Sequence, residues 1–124
     1  MVEFNVGNEA KGYKKLIVWQ KADELAFQTY METKSFPHNE LFGVTSQLRR
    51  AAISIPVNIA EGSGRQGRSE TRQFANIALG SLAETEYLLE FSLRLKYLTQ
   101  ANYDYLESLR QRVGSLLWKY YKSF

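Results

Sequence analysis

Residues 54–68 read SIPVNIAEGSGRQGR, and the glycines from Gly62 to Gly67 have the spacing G-x-G-x-x-G. In dinucleotide-binding proteins this spacing cradles a pyrophosphate, but there it follows a β-strand of a parallel sheet. Here a helical pattern of apolar residues precedes the glycines, and no segment of the chain has a strong strand pattern. We therefore expect a turn between two helices, with Gly62 or Gly64 ending the first helix at a positive φ. No cofactor is predicted.

Working outward from this turn, apolar residues recur every three or four positions in four segments, which is the period of an amphipathic helix. The segments run from Leu16 to Thr33, from about Asn39 to Glu61, from Ser69 to about Leu98, and from about Thr99 to Phe124. The expected N-caps are Asn39, Ser69 and either Thr99 or Asn102. Pro56 is expected to bend the second helix without ending it.

This pattern predicts an all-α protein. Four long helices joined by short loops pack most simply as an up-down-up-down antiparallel four-helix bundle. We expect the bundle to cover residues 14–124, after a flexible N-terminal tail at residues 1–13.

Composition narrows the class of protein. At 124 residues the chain is long enough for one core, and 44% hydrophobic with 23% charged residues is typical of a water-soluble domain. Cysteine is absent, which excludes disulfides, thiolate metal ligands and a cysteine nucleophile. The first residues lack the apolar core of a signal peptide, and no apolar run of about 18 residues occurs. We expect a cytoplasmic protein without a membrane partner.

No catalytic or metal site is predicted. His38 is the only histidine and lies in the segment FPHNE. The chain has no Glu-x-x-His pair of the kind that holds carboxylate-bridged metals in some helix bundles. We therefore expect a protein that is not an enzyme.

Positive charge is concentrated in the middle of the chain. Residues 41–72 contain five arginines and two glutamates, and this local +3 equals the net charge of the whole chain. Arginine can bind a phosphate through two N–H groups at once, which lysine cannot, and a helix N-terminus favours an anion. The candidate nucleic-acid contacts are Arg50, Arg65, Arg68 and Arg72. In the alternative interpretation, these are solvated charges that stabilise helix ends.

A line of polar residues runs along the second helix beside its apolar stripe. On a helical wheel the line consists of Gln47, Arg50, Ser54, Asn58, Glu61 and Arg65. Its expected partners are Ser81 and Glu84 on the third helix, or an arginine. Two interpretations stay open. The line is either a buried network that sets the register of the helices, or a groove for a partner or nucleic acid.

Two helices carry more apolar surface than one bundle can bury. Ile53, Val57 and Ala60 lie beyond the polar line on the second helix, and Ile77, Phe91 and Leu98 form a similar second face on the third. A helix in a single bundle needs only one apolar face. The sequence therefore predicts a homo-oligomer.

Three stretches resemble the bacterial four-helix-bundle proteins called 23S rRNA-intervening sequence proteins. They are VWQKADELA at residues 18–26, QLRRAAISIPVNIAEGSGR at 47–65 and FANIALGSLAETEYLL at 74–89, and the resemblance extends from about Leu16 to the C-terminus. It implies an antiparallel bundle that assembles as a homopentamer, and it brings no catalytic residues. Similar bundles serve as accessory proteins of diversity-generating retroelements, where a basic pentamer is thought to hold nucleic acid and a reverse transcriptase. The resemblance thus implies RNA or DNA, and a reverse transcriptase or another protein, as partners.

Two functions remain open at this point. The preferred one is a nucleic-acid-binding accessory bundle. The alternative is a structural or protein-interaction module with no nucleic-acid role. Salt-dependent RNA binding distinguishes them.

Overall fold

The computed structural model describes residues 12–124, and all regular structure in this range is helical. The four long helices are α1 (Ile17–Thr33), α2 (Val44–Ser63), α3 (Arg68–Arg94) and α4 (Gln100–Lys122), and two short 3-10 helices lie at Gly12–Lys15 and His38–Glu40. The prediction of an all-α protein with four helices is confirmed. Residues 1–11 of the expected tail lie outside the described range, and Gly12 and Tyr13 belong to the first 3-10 helix. None of the described helices combines the length and apolar character needed to cross a bilayer.

The four helices enclose a core that divides into two clusters along their length. Each of α1 and α3 packs against both α2 and α4. The first cluster joins the start of α1 to the end of α2, the start of α3 and the end of α4, and includes the fully buried Ile59 and Leu117. The second cluster joins the start of α2 to the end of α3 and the start of α4, around Leu48 and Leu106. The turn between α2 and α3 and the last turn of α4 therefore lie at the same end of the core.

The turn between α2 and α3 is not made by a left-handed glycine, so the prediction for Gly62 and Gly64 is wrong. Gly64 has a φ of −83° and Gly62 lies inside α2. Among the described residues, Gly12 is the only glycine with a positive φ. Gly62 is required for space instead, because a Cβ atom there would lie 2.7 Å from Cβ of Phe74 on α3. Its carbonyl oxygen accepts a hydrogen bond from Oγ1 of Thr71 at 2.9 Å. The close approach of α2 and α3 therefore begins at the turn itself.

Asn39 does not cap α2, contrary to the sequence-based expectation. It lies in the second 3-10 helix, and α2 begins at Val44. The backbone N–H of Val44 donates to Oε1 of Glu40 at 3.4 Å, so a glutamate side chain takes the place of the expected cap. The expected cap of α3 is also wrong, because the N-cap is Gly67 and Ser69 lies inside the helix, which begins at Arg68.

Helix α3 ends at Arg94, earlier than the expected end near Leu98. Lys96 takes a positive φ of 64°, and the backbone N–H of Tyr97 donates to the carbonyl of Ser92 at 3.0 Å. This six-to-one hydrogen bond is the one that closes a Schellman motif. The prediction that Leu98 belongs to an outer face of the third helix is also wrong. Leu98 lies after the helix and is buried in the second core cluster.

Other helix predictions are confirmed. Helix α1 ends at Thr33 as expected, and α2 continues through Pro56 without a break. The bend expected at Pro56 stays a prediction. Thr99 rather than Asn102 caps α4, because Oγ1 of Thr99 accepts the backbone N–H of Asn102 at 3.1 Å. The apolar periodicity therefore located all four helices, and the errors lie in how α2 and α3 begin and end.

Candidate functional site

Three of the candidate arginines lie together at one end of the fold, where the turn between α2 and α3 meets the last turn of α4. We call this the arginine end. Each guanidinium lies over an aromatic ring: Arg65 over Phe74 at 5.0 Å, Arg68 over Phe124 at 5.4 Å and Arg72 over Tyr121 at 4.7 Å. All three arginines are exposed. Cation–π contacts of this kind attract a guanidinium to the face of a ring and use none of its N–H donors.

The polar contacts of these arginines leave them able to bind an anion. Nη2 of Arg68 donates to the carbonyl oxygen of Ser123 at 2.5 Å. Nη2 of Arg65 lies 3.6 Å from Oε1 of Glu61, and these two side chains are 44% and 56% exposed. An ion pair this exposed contributes less than about 1 kcal/mol. A phosphate therefore competes with a weak partner at Arg65 and with a neutral carbonyl at Arg68.

Basic residues from two other parts of the chain reach the same end. Lys14 and Lys15 lie in the first 3-10 helix, and Lys119 and Lys122 lie in the last turn of α4. Residues 12–15, 61–72 and 119–124 together contain seven basic and two acidic side chains, a local net charge of +5. The whole chain has a net charge of +3, so the rest of the molecule is net negative.

Sequence reasoning missed these lysines because it counted charge by consecutive segments. Residues 73–124 are nearly balanced as a segment, with six bases against five acids. Only the packing of α4 against α3 shows that Lys119 and Lys122 lie at the arginine end. The sequence did contain a signal, because both lysines fall at the C-terminal end of the predicted fourth helix.

Arg50, the fourth candidate, is not brought to this end. It lies exposed in the second turn of α2, roughly 20 Å along the helix axis from Ser63 at 1.5 Å per residue. Its neighbour Arg49 is tied to the end of α1, because its Nε donates to Oγ1 of Thr33 at 2.7 Å. The cluster at the arginine end is therefore built from Arg65, Arg68 and Arg72 without Arg50.

The polar line of α2 divides into a bonded centre and exposed members. Oγ of Ser54 lies 2.9 Å from Oγ of Ser81 on α3, and Nδ2 of Asn58 donates to the carbonyl and the hydroxyl of Ser54 at 2.8 and 3.0 Å. All three residues are half-buried. The other predicted members, Gln47, Glu61 and Glu84, are exposed. The centre of the line thus links α2 to α3, and the exposed members lie on the solvent side of that link.

Replacing Asn58 by leucine is expected to lower the free energy of unfolding by about 1 kcal/mol, because the side chain of Ser54 loses one of its two partners. Urea unfolding of the wild type and the variant at one protein concentration measures this. Gln47→Leu is the matched control, since it removes an exposed amide from the same line and should change stability by less than about 0.5 kcal/mol. Equal effects of the two substitutions would contradict a bonded centre.

The fold and these contacts define a small all-helical protein with a polar link between α2 and α3 and a strongly basic end. The chain belongs to the 23S rRNA-intervening sequence protein family, whose model matches residues 14–119. The family resemblance seen in the sequence is thereby confirmed.

A solved structure of a similar protein supports the fold. It is a protein of unknown function from the S23 ribosomal protein family of Bacteroides thetaiotaomicron, known from a crystal structure. It is 29% identical to this chain and superposes with a TM-score of 0.77, over 86% of this chain and 99% of that one. No relative is found among curated proteins.

Proposed function

We propose that this protein is a non-enzymatic accessory factor that binds RNA or DNA through its arginine end. The observation that carries the proposal is the net charge of +5 gathered there from three separate segments of the chain. Contacts between basic side chains and phosphates supply most of the affinity in sequence-independent nucleic-acid binding. We assign no catalytic residue, and a reverse transcriptase or another nucleic-acid enzyme is the protein partner that such a factor would serve.

A gel-shift titration with two unrelated single-stranded RNAs of about 20 nucleotides at about 50 mM salt tests this function. We expect both RNAs to shift at similar protein concentrations, because contacts to phosphate carry no sequence information. The absence of a shift with either RNA would favour the alternative function, a structural or protein-interaction module.

We also propose that the helices form an up-down-up-down antiparallel bundle and that the bundle assembles as a homopentamer. The two core clusters support the topology, since each one joins the end of a helix to the start of the next.

Exposed apolar side chains support the assembly. Six of them are between 41% and 55% exposed: Phe27, Tyr30 and Met31 on α1, Ile53 and Val57 on α2, and Ile77 on α3. The residues on α1 and the neighbouring Ile53 line an apolar cavity of about 330 Å³. A ring of more than two copies needs two different faces that meet, and the α1–α2 face and the outer face of α3 supply such a pair.

Gly80 supports a second copy against α3. Glycine inside a helix costs about 1 kcal/mol relative to alanine. At Gly62 a close contact explains the glycine, since an added Cβ would lie 2.7 Å from Cβ of Phe74. At Gly114 an added Cβ would lie 3.2 Å from Cδ2 of Leu82, within reach of a neighbour in the same chain. An added Cβ at Gly80 would meet nothing within 4 Å among the described residues. The close approach of another chain accounts for a glycine at this exposed position.

Replacing Gly80 by glutamine is therefore expected to lower the mass of the assembly measured by multi-angle light scattering at micromolar concentration. The helix content measured by circular dichroism should be unchanged or higher, because glutamine is a better helix former than glycine. Ala101→Gln is the control, since it places the same side chain on an exposed position of α4. A monomeric wild type, or an assembly that tolerates Gly80→Gln as well as Ala101→Gln, would contradict the proposed interface. Avidity across five arginine ends would strengthen a weak site on one copy.

A further inference from the structure

A cavity of about 480 Å³ opens at the arginine end, between the first 3-10 helix, the turn from α2 to α3, and the end of α4. Arg65 and Arg68 lie on its walls, and so do three aromatic side chains, Tyr13, Tyr120 and Phe124. A volume of this size is within the range of sites that hold small organic molecules. The cavity therefore brings cations and rings to one opening.

Each ring of the cavity contacts another aromatic ring. Tyr120 and Phe124 meet edge to face, with centroids 4.9 Å apart and an interplanar angle of 87°. Tyr13 makes a similar edge contact with Trp19 at 4.9 Å. All three cavity rings are half-buried, so each keeps part of its surface accessible. Burial raises the pKa of Tyr120 above its ordinary value, and its neutral hydroxyl can donate a hydrogen bond.

The cations lie where they can serve the same ligand as the rings. The guanidinium of Arg68 lies over the ring of Phe124 at 5.4 Å and hydrogen-bonds to the carbonyl of Ser123. A guanidinium has five N–H donors, and this hydrogen bond uses one. A ligand that combines a planar ring with a phosphate matches this combination of groups.

The form of the nucleic acid follows from the accessibility of its bases. In a duplex the faces of the bases are stacked on one another, so a pocket of aromatic rings gains nothing from them. An unpaired base exposes both faces and stacks on aromatic side chains, while its backbone follows the basic groups. We propose that this cavity binds an unpaired base of single-stranded RNA or DNA, with the base against Tyr120 and Phe124 and the adjoining phosphates on Arg65 and Arg68. This inference rests on the proposed function.

Fluorescence anisotropy with three probes tests it: an oligouridylate and an oligothymidylate of about 12 nucleotides, and a duplex of about 12 base pairs, all at about 50 mM salt. We expect the wild type to bind both single strands more tightly than the duplex. Phe124→Leu and Tyr120→Leu should each weaken single-strand binding by about 5- to 100-fold and leave duplex binding unchanged. Phe42→Leu is the matched control, because the ring of Phe42 is 94% exposed. Phe42 lies just before the start of α2, whereas the arginine end lies at the end of that helix.

The outcomes separate this inference from the proposed function. Equal binding of single strands and duplex, with no effect of Phe124→Leu, would overturn the single-strand site and leave nucleic-acid binding intact. Failure of all three probes to bind would overturn both. Tyr120 also packs against the first core cluster, so Phe124→Leu, at a residue outside both core clusters, decides the matter if Tyr120→Leu unfolds. A preference for oligouridylate or for oligothymidylate identifies which single strand the site favours, and either one supports the inference.

Discussion

Replacing Arg65, Arg68 and Arg72 together by glutamine is expected to weaken RNA or DNA binding roughly 100-fold or more at about 50 mM salt. Each arginine that contacts a phosphate releases a counterion on binding, and this gain is largest at low salt. The substitutions also remove three of the seven basic side chains at the arginine end. The affinity of the triple variant for a single-stranded RNA, compared with that of the wild type, measures the effect. Light scattering and circular dichroism on the same samples check that assembly and helix content are retained.

A second triple variant distinguishes the loss of specific contacts at the arginine end from the loss of net charge. Lys34, Arg94 and Arg112 are exposed and do not belong to the arginine end, and their replacement by glutamine removes the same amount of charge. This control should change the affinity only a few-fold, through the weaker field of the whole molecule. Equal losses in the two triple variants would mean that binding follows net charge and has no site at the arginine end.

Replacing Gly62 by valine is expected to lower the free energy of unfolding by about 3 kcal/mol. A Cβ at this position would lie 2.7 Å from Cβ of Phe74, and neither atom can move by rotating a side chain. Helices α2 and α3 must therefore separate at the turn, which also stretches the hydrogen bond from Thr71 to the carbonyl of Gly62. Urea unfolding at a fixed protein concentration is the measurement, because the stability of the proposed assembly would depend on concentration.

Gly64→Val is the matched control for Gly62→Val. Gly64 is exposed, has a φ of −83°, and an added Cβ there would come no closer than 3.6 Å to another atom outside its immediate neighbours. We expect this substitution to change the free energy of unfolding by less than about 0.5 kcal/mol. If Gly62→Val is no more destabilising than Gly64→Val, the close approach of α2 and α3 at the turn is not what the glycine serves.

The helices could be predicted because their apolar spacing is a local property of the sequence. Leu48, Ile55 and Ile59 recur on one face of α2, and all three are essentially inaccessible to solvent. The polar link could also be predicted from the sequence, since Ser54 and Asn58 are one helical turn apart and Ser81 belongs to a stretch that resembles the family. Reading the glycine spacing as a turn was correct for the same reason, because a helical pattern precedes it.

The features that could not be predicted depend on contacts between distant residues or on unusual backbone. Helix α3 ends at Arg94, and Lys96 just after it takes a positive φ. Lysine rarely adopts a positive φ, so the residues around Lys96 did not indicate a helix end. A glycine is needed at position 62 because Phe74 on the next helix leaves no space for a side chain. The convergence of Lys119 and Lys122 with the arginines depends on how α4 packs. Segment-by-segment counting therefore understated the charge of the candidate site.

The central claim is that the arginine end binds nucleic acid, and the salt dependence of wild-type binding tests it most directly. The affinity for a single strand of about 12 nucleotides should be measured between about 50 and 200 mM salt. If Arg65, Arg68 and Arg72 each contact a phosphate, log affinity should fall against log salt with a slope of about −2 or steeper. Absence of binding at about 50 mM salt, or an affinity that does not change with salt, would contradict the account and favour a structural or protein-interaction module.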